Sequence, residues 1–166
     1  MEPDYIRTLI DYNYTEHHKV WDQCIMQLSD EQFTRDTGYS HGSLHAEVVH
    51  VMNGEWWWIS RAQGQSPQSQ PKPAEYPTRD VIRARWDEIE AAVRGFVAAL
   101  DAAALAAPVQ YTTPKGEVID NHVWKILLHL CNHGTIHRAE IMAIAAQVGG
   151  PTFDLSFMRY LYGGRY

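Results

Sequence analysis

The sequence predicts an all-α protein built on four long helices. Three observations carry that expectation. Four long segments have apolar side chains recurring at three- and four-residue intervals, there is almost none of the two-residue alternation of strands, and the last segment stops firmly at Gly149, Gly150 and Pro151. At 166 residues the chain fits a single domain, 1–166, and a chain of that size buries about 70% of its unfolded surface, enough for a core without staples. A content of 45% apolar residues, with 6 Trp and 9 Tyr, is too rich for a disordered chain.

The first helix is expected over residues 3–28, with Pro3 in its first turn and Ile6, Leu9, Ile10, Tyr14, Trp21, Ile25 and Leu28 at bundle-like spacing. The second opens at Ser43, a good N-cap after Gly42, and continues to about Ala62. The segment 64–77 (GQSPQSQPKPAEYP) is polar and Pro-rich, extended by preference, and able to span about 40 Å at roughly 3.1 Å per residue. A tight antiparallel helix pair needs only about 2 to 8 residues of connection. Helices two and three therefore either run parallel with this segment as a crossover, or the segment is a surface insertion. The third helix starts after Thr78, carrying Val81, Trp86, Ile89, Val93, Phe96, Val97 and Leu100. Next, VQYTTPKGEVID alternates around Pro114, Lys115 and Gly116 like a small hairpin. The fourth helix begins near Asp120 or Asn121, and a short C-terminal helix is expected around residues 153–161.

Charge and leader composition exclude several functions. With 14 Lys and Arg against 20 Asp and Glu, a formal charge of −6 and no basic run, sequence-independent binding to nucleic acid is not expected. No apolar stretch approaches the roughly 18 to 20 residues of a membrane span. The first thirty residues lack a signal peptide's basic start and apolar middle, so a cytoplasmic location is expected. Cys24 and Cys131 are too few for a disulfide framework and read as small core hydrophobes.

The fourth helix carries the most informative feature. His129, His133 and His137 stand four residues apart, and each such step turns the side chain only about 40° and climbs about 6 Å. Ile126, His129, His137, Glu140 and Ile144 all lie within roughly 40° of His133 around the axis. Polar and apolar stripes thus coincide, and core-facing imidazoles need hydrogen-bond or metal partners, because burial without them costs several kcal/mol. Two such His with one from another helix make a metal site. On the second helix His45 and His50 are about 140° apart, so only one can face that direction. Periodicity leaves the choice open: His45 travels with Val49, Met52, Trp56 and Ile59, whereas His50 travels with Ala46, Asn53, Gly54 and Trp57, and the small residues around it leave room for a metal and a substrate. The run Trp56, Trp57, Trp58 spreads over about 200°, so at least one ring should pack on a loop or a second subunit. His17 and His18, with Tyr14, read as solvent-facing or capping residues of the first helix, the alternative being pocket lining.

The stretches SHGSLHAEVVHVMNGEWWWISRAQG, TRDVIRARWDEIE and above all LLHLCNHGTIHRAEIMAIAAQVGG resemble the DinB family of damage-inducible and stress-related proteins, with YNYTEHH and FDLSFMRYL extending the likeness over nearly the whole chain. The resemblance implies a four-helix bundle of up-down-down-up topology, often a homodimer, in which the Pro-rich segment is the crossover. It also implies a divalent metal on three histidines: one at the VVHV position and two in the N-H-x-x-x-H-R element, which fall on His50, His133 and His137. Ile136 and Ala139-Glu140 depart from the usual text of the family without removing a ligand. Glu140 is expected to orient a ligand imidazole, the alternatives being a fourth ligand or a paired core carboxylate. His129 is expected to be structural or to support a ligand from behind.

A site of imidazoles alone suits Zn²⁺, Ni²⁺ or Fe²⁺, and three protein ligands leave an open position, the pattern of catalytic sites. Gly134 follows His133 where a zinc protease of the H-E-x-x-H type has its glutamate, so that reading fails. The resemblance implies a metal-dependent enzyme acting on a small molecule, of thiol S-transferase, isomerase or hydrolase type, with a low-molecular-weight thiol as co-substrate and a role in stress or detoxification. The rival from another class is a metal-binding stress protein without turnover. No general base is named by the sequence, and Asn13 is the candidate for substrate contact.

Overall fold

A computed structural model describes residues 2–165 and is mostly helical, with one small two-stranded antiparallel sheet. Helix α1 (Pro3–Gln23) opens on Pro3, whose fixed φ suits a first helical turn, and buries Ile6, Ile10, Val20 and Trp21. It ends earlier than expected because Cys24 leaves the helical region, and a 3₁₀ turn (Ile25–Gln27) follows. A short helix α2 (Asp30–Thr34) then forms on a capping box, in which the Ser29 hydroxyl accepts from the Gln32 amide and the Gln32 side chain accepts from the Ser29 amide.

Helices α3 (Leu44–Ala62) and α4 (Arg79–Ala98) begin where their capping residues indicate, with Ser43 accepting from the Ala46 amide and Thr78 from the Val81 amide. A further short helix α5 (Ala102–Ala106), capped by Asp101, leads into the hairpin of β1 (Pro108–Thr112) and β2 (Val118–His122), which pairs Tyr111 with Ile119 and Pro108 with His122. Residues 120–122 are spent in β2, so α6 (Val123–Gln147) starts later than expected. The last helix α7 is confined to Phe157–Leu161.

The long helices pack as neighbours, α3 on α6 and on α4, and α1 on α6 and on α4. Glu47 and His50 stand opposite His137, Gly54 opposite His133, and Trp58 opposite His129, so α3 and α6 run antiparallel. The segment 64–77 is no free insertion. Its Ser66 hydroxyl accepts from the Thr112 amide, its Pro71 carbonyl from the Asn53 side chain, and its Tyr76 carbonyl from His45, so it travels back along α3 from end to beginning. Arg79 then meets the segment just after α1, donating to the Ile25, Leu28 and Ser29 carbonyls, while further along α4 Arg94 pairs with Asp11 in the first half of α1.

The tryptophan run is accommodated within one chain. Trp58 packs edge-on against Tyr111 of β1, and the Arg61 guanidinium lies 4.5, 4.9 and 4.6 Å from the Trp57, Trp58 and Tyr111 ring centroids, in cation–π range. Trp58 thus packs on the hairpin rather than on a loop, and all three rings of the run remain partly exposed. Both cysteines are buried free thiols, and burial pushes Cys24 up to about 11 and Cys131 up to about 12, so neither is a reactive thiolate. Among the described residues no helix is long and apolar enough to cross a membrane.

Candidate metal centre

The centre lies where α3 and α6 cross. Glu47, His50 and Gly54 share one face of α3, and His133, His137 and Glu140 share one face of α6, each set at three- and four-residue spacing. The Nε2 atoms of His50 and His137 approach to 3.2 Å. The His133 ring completes the cluster, with its centroid 4.2 Å from that of His137 and 5.2 Å from that of His50. Gly54 makes room for it, since a Cβ there would stand 2.6 Å from His133 Cε1. Sequence reasoning gave Gly54 the task of clearing space beside His50; its absent side chain is instead filled by His133.

His137 is oriented from behind. Its Nδ1–H donates to Glu47 Oε1 at 2.7 Å, and Glu140 Oε2 approaches the same nitrogen at 2.6 Å without hydrogen-bond geometry. Burial alone would push His137 down, but Glu47 and Glu140 hold it above the ordinary imidazole value. Burial would likewise push the Glu47 carboxyl up, and the His137 imidazole and Ser40 hydroxyl hold it below the ordinary range. A carboxylate on the rear nitrogen of an imidazole fixes its tautomer and leaves Nε2 free to coordinate. Desolvation and neighbouring imidazoles push His50 down to about 4 and His133 down to about 3, so both are neutral at physiological pH, the form a metal requires.

Two groups have ligand atoms all within 4.8 Å of one another: His41, His50 and His137, and Glu47, His137 and Glu140. His133 belongs to neither group. Its Nδ1 is buried without a hydrogen-bond partner, although its ring touches the other two histidines. An orphaned buried imidazole nitrogen is costly, and a metal bond is a partner that would remove the cost. The donor set, two facing Nε2 atoms with a third imidazole at ring contact and a carboxylate behind one of them, fits a divalent ion.

The other candidates separate cleanly. His45 gives Nε2–H to the Tyr76 carbonyl at 2.7 Å and packs on Phe33, which makes it an anchor of the crossover. His129 is exposed and lies against Trp58, 5.8 Å from the His133 ring, so the His stripe runs out of the interior toward solvent. His17 is buried rather than solvent-facing, and Asn13 is fully buried, which removes it as a substrate contact.

Asn13 and His17 belong to a buried polar network beside the centre. Glu55 accepts from Asn13 Nδ2 at 3.0 Å, His17 Nε2 at 2.8 Å and Trp86 Nε1 at 2.7 Å. Asn13 Oδ1 in turn accepts from Arg138 Nη1 at 2.6 Å, and Arg138 Nη2 donates to Thr135. Both Glu55 and Arg138 are fully buried, so an amide bridges two interior charges. Gly134 permits it, because a Cβ at that position would collide with Asn13 Oδ1. Sequence reasoning missed Glu47, Glu55, Arg138 and His41. One signal was present for the two acids: neither Glu47 nor Glu55 has a Lys or Arg three or four residues away on its own helix, so both needed partners elsewhere.

A cavity of about 200 Å³ opens beside His50, between α3 and the crossover, lined by His41, Ala46, Val49, Asn53, Pro71 and Pro73 among others. Comparison with known proteins adds two findings. A family model described as DinB family matches residues 4–164. Protein DinB of Bacillus subtilis (strain 168) is 22% identical over 164 residues, covering 96% of this chain and 95% of that protein.

Proposed function

The chain belongs to the DinB family, and on that premise we propose that it is a metal-dependent enzyme of small molecules whose ion is held by His50, His133 and His137. The observation that carries this reading is the pair of facing Nε2 atoms of His50 and His137, 3.2 Å apart, with the His133 ring against both. Zn²⁺, Ni²⁺ and Fe²⁺ all suit the donors. When bound, such an ion supplies Lewis acidity that lowers the pKa of a thiol or water at neutral pH. The residues do the rest: Glu47 holds the tautomer of His137, Gly54 admits the His133 ring, and the cavity beside His50 is lined by no Asp, Glu, Lys or Arg, which suits a small substrate.

The reaction class is transfer, isomerisation or hydrolysis, with a low-molecular-weight thiol as co-substrate and detoxification or stress response as the setting. The helix neighbours and the returning crossover support an up-down-down-up four-helix bundle, and association as a homodimer is part of the same proposal.

Elemental analysis of the wild type and of His50→Ala, His133→Ala and His137→Ala tests the site. Stoichiometric metal is expected in the wild type and in none of the variants, because the ligands of a three-His site are not redundant. Full metal content in His133→Ala would remove that residue from the set. Adding thiols and electrophiles to the loaded protein tests the chemistry. Turnover is expected, and its absence across the panel would leave a metal-binding stress protein.

A further inference from the structure

His41 belongs to no helix and to no ligand set implied by the sequence. It sits on an exposed turn in which the Gly42 amide donates to the Tyr39 carbonyl at 2.8 Å and the Thr37 amide to the Gly42 carbonyl at 2.7 Å. Ser40 adopts φ 49°, and Gly38 and Gly42 also have positive φ, so the turn is sharply folded and closed on itself. Its effect is to lay the His41 ring on that of His50, with centroids 3.9 Å apart and planes inclined by 23°. From there a His41 nitrogen lies within 4.8 Å of ligand nitrogens of both His50 and His137. The same ring forms one wall of the cavity beside His50.

We propose that His41 is an exchangeable fourth imidazole donor, which fills the open position of the ion at rest and yields it to an incoming small anion or thiol. The inference rests on the three-histidine reading above. Three protein ligands leave a position to fill, and His41 is the remaining imidazole within reach of both His50 and His137. It is carried on a turn at the surface, so it can leave without moving α3 or α6, and its departure opens the cavity to the site. A ligand that must displace an occupant binds more weakly by the fraction of molecules in which the position is free.

The test uses the full chain loaded with Co²⁺, azide as the probe, and two variants, His41→Ala and His41→Phe. Phenylalanine retains a ring to stack on His50 but has no donor atom, which separates packing from ligation. Both variants are expected to bind one equivalent of Co²⁺ with visible spectra altered from the wild type in the same sense. Both are also expected to bind azide about tenfold more tightly, as when the resting position is free in roughly one molecule in ten. Wild-type spectrum and azide affinity in His41→Phe would overturn the proposal. Loss of Co²⁺ from both variants would also overturn it, since His41 would then be an obligatory ligand. A wild type that binds no Co²⁺ would remove the metal reading itself, an outcome distinct from either.

Discussion

Gly54 and His133 compete for the same space: a Cβ on residue 54 would stand 2.6 Å from Cε1 and 3.1 Å from Nε2 of the imidazole. Gly54→Ala therefore sets two effects against each other. Alanine raises helix propensity by about 1 kcal/mol in a helix interior, whereas the His133 ring must move away from its position. The expected outcome is a protein of near wild-type helicity whose metal affinity falls by about 10- to 100-fold, the usual cost of disturbing what positions a ligand. Calorimetric titration with Zn²⁺ reads this directly, and an unchanged affinity would show that the position of His133 is immaterial to binding.

Glu47→Gln tests orientation of the other α6 ligand. The amide oxygen can still accept from His137 Nδ1–H, but the charge that strengthens the bond is gone. Metal affinity should drop by about 10-fold or more, while Glu47→Asp, whose carboxylate is shorter by one methylene, should lie between. Equal affinities for all three proteins would mean that Glu47 only fills space.

Glu55→Gln should be more damaging to the fold than to the site. Removing one member of a buried charge pair typically costs about 3–5 kcal/mol, and here the new amide also turns one of the two acceptor oxygens into a donor, set either against Trp86 or against Asn13 and His17. Urea melts at neutral pH measure the loss, and a change below about 0.5 kcal/mol, the range of an ordinary surface substitution, would contradict the network.

The same residue sets an acid limb of stability. Burial would raise the Glu55 carboxyl, but His17, Trp86 and Asn13 hold it below the ordinary 4.5. A carboxyl depressed in the folded state contributes fully above its unfolded value and loses that contribution as pH falls through the lower folded one. The stability difference between wild type and Glu55→Gln should accordingly be constant above about pH 5 and narrow below it. A difference that widens in acid would reverse the sign and refute the assignment.

The sequence was most legible where local chemistry decides structure. Ser43 and Thr78 marked the starts of α3 and α4 to the residue, and Gly149 with Gly150 marked the end of α6, because capping is a matter of a few adjacent groups. Helix α2 was not anticipated: it is too short to show hydrophobic periodicity, and only the Ser29 to Gln32 capping box marks it. Choosing between His45 and His50 was beyond periodicity, since a face of large apolar residues and a face of small ones can each point inward; the structure separates them through the Tyr76 carbonyl, 31 residues from His45. His41 was out of reach for another reason, as its position depends on the backbone of a turn and not on any repeating face.

Glu55, Asn13, His17, Trp86 and Arg138 come from α1, α3, α4 and α6, so each of the long helices contributes to one set of mutual partners. An interior of Leu and Ile tolerates a helix sliding past its neighbours, because one methyl replaces another. Here a slide of one turn displaces a partner by about 5.4 Å, well beyond hydrogen-bond range, and strands a carboxylate or a guanidinium in the interior. The network thus acts as a key to helix register, admitting one alignment of the four and penalising the rest, and His50 is brought level with His137 as a result.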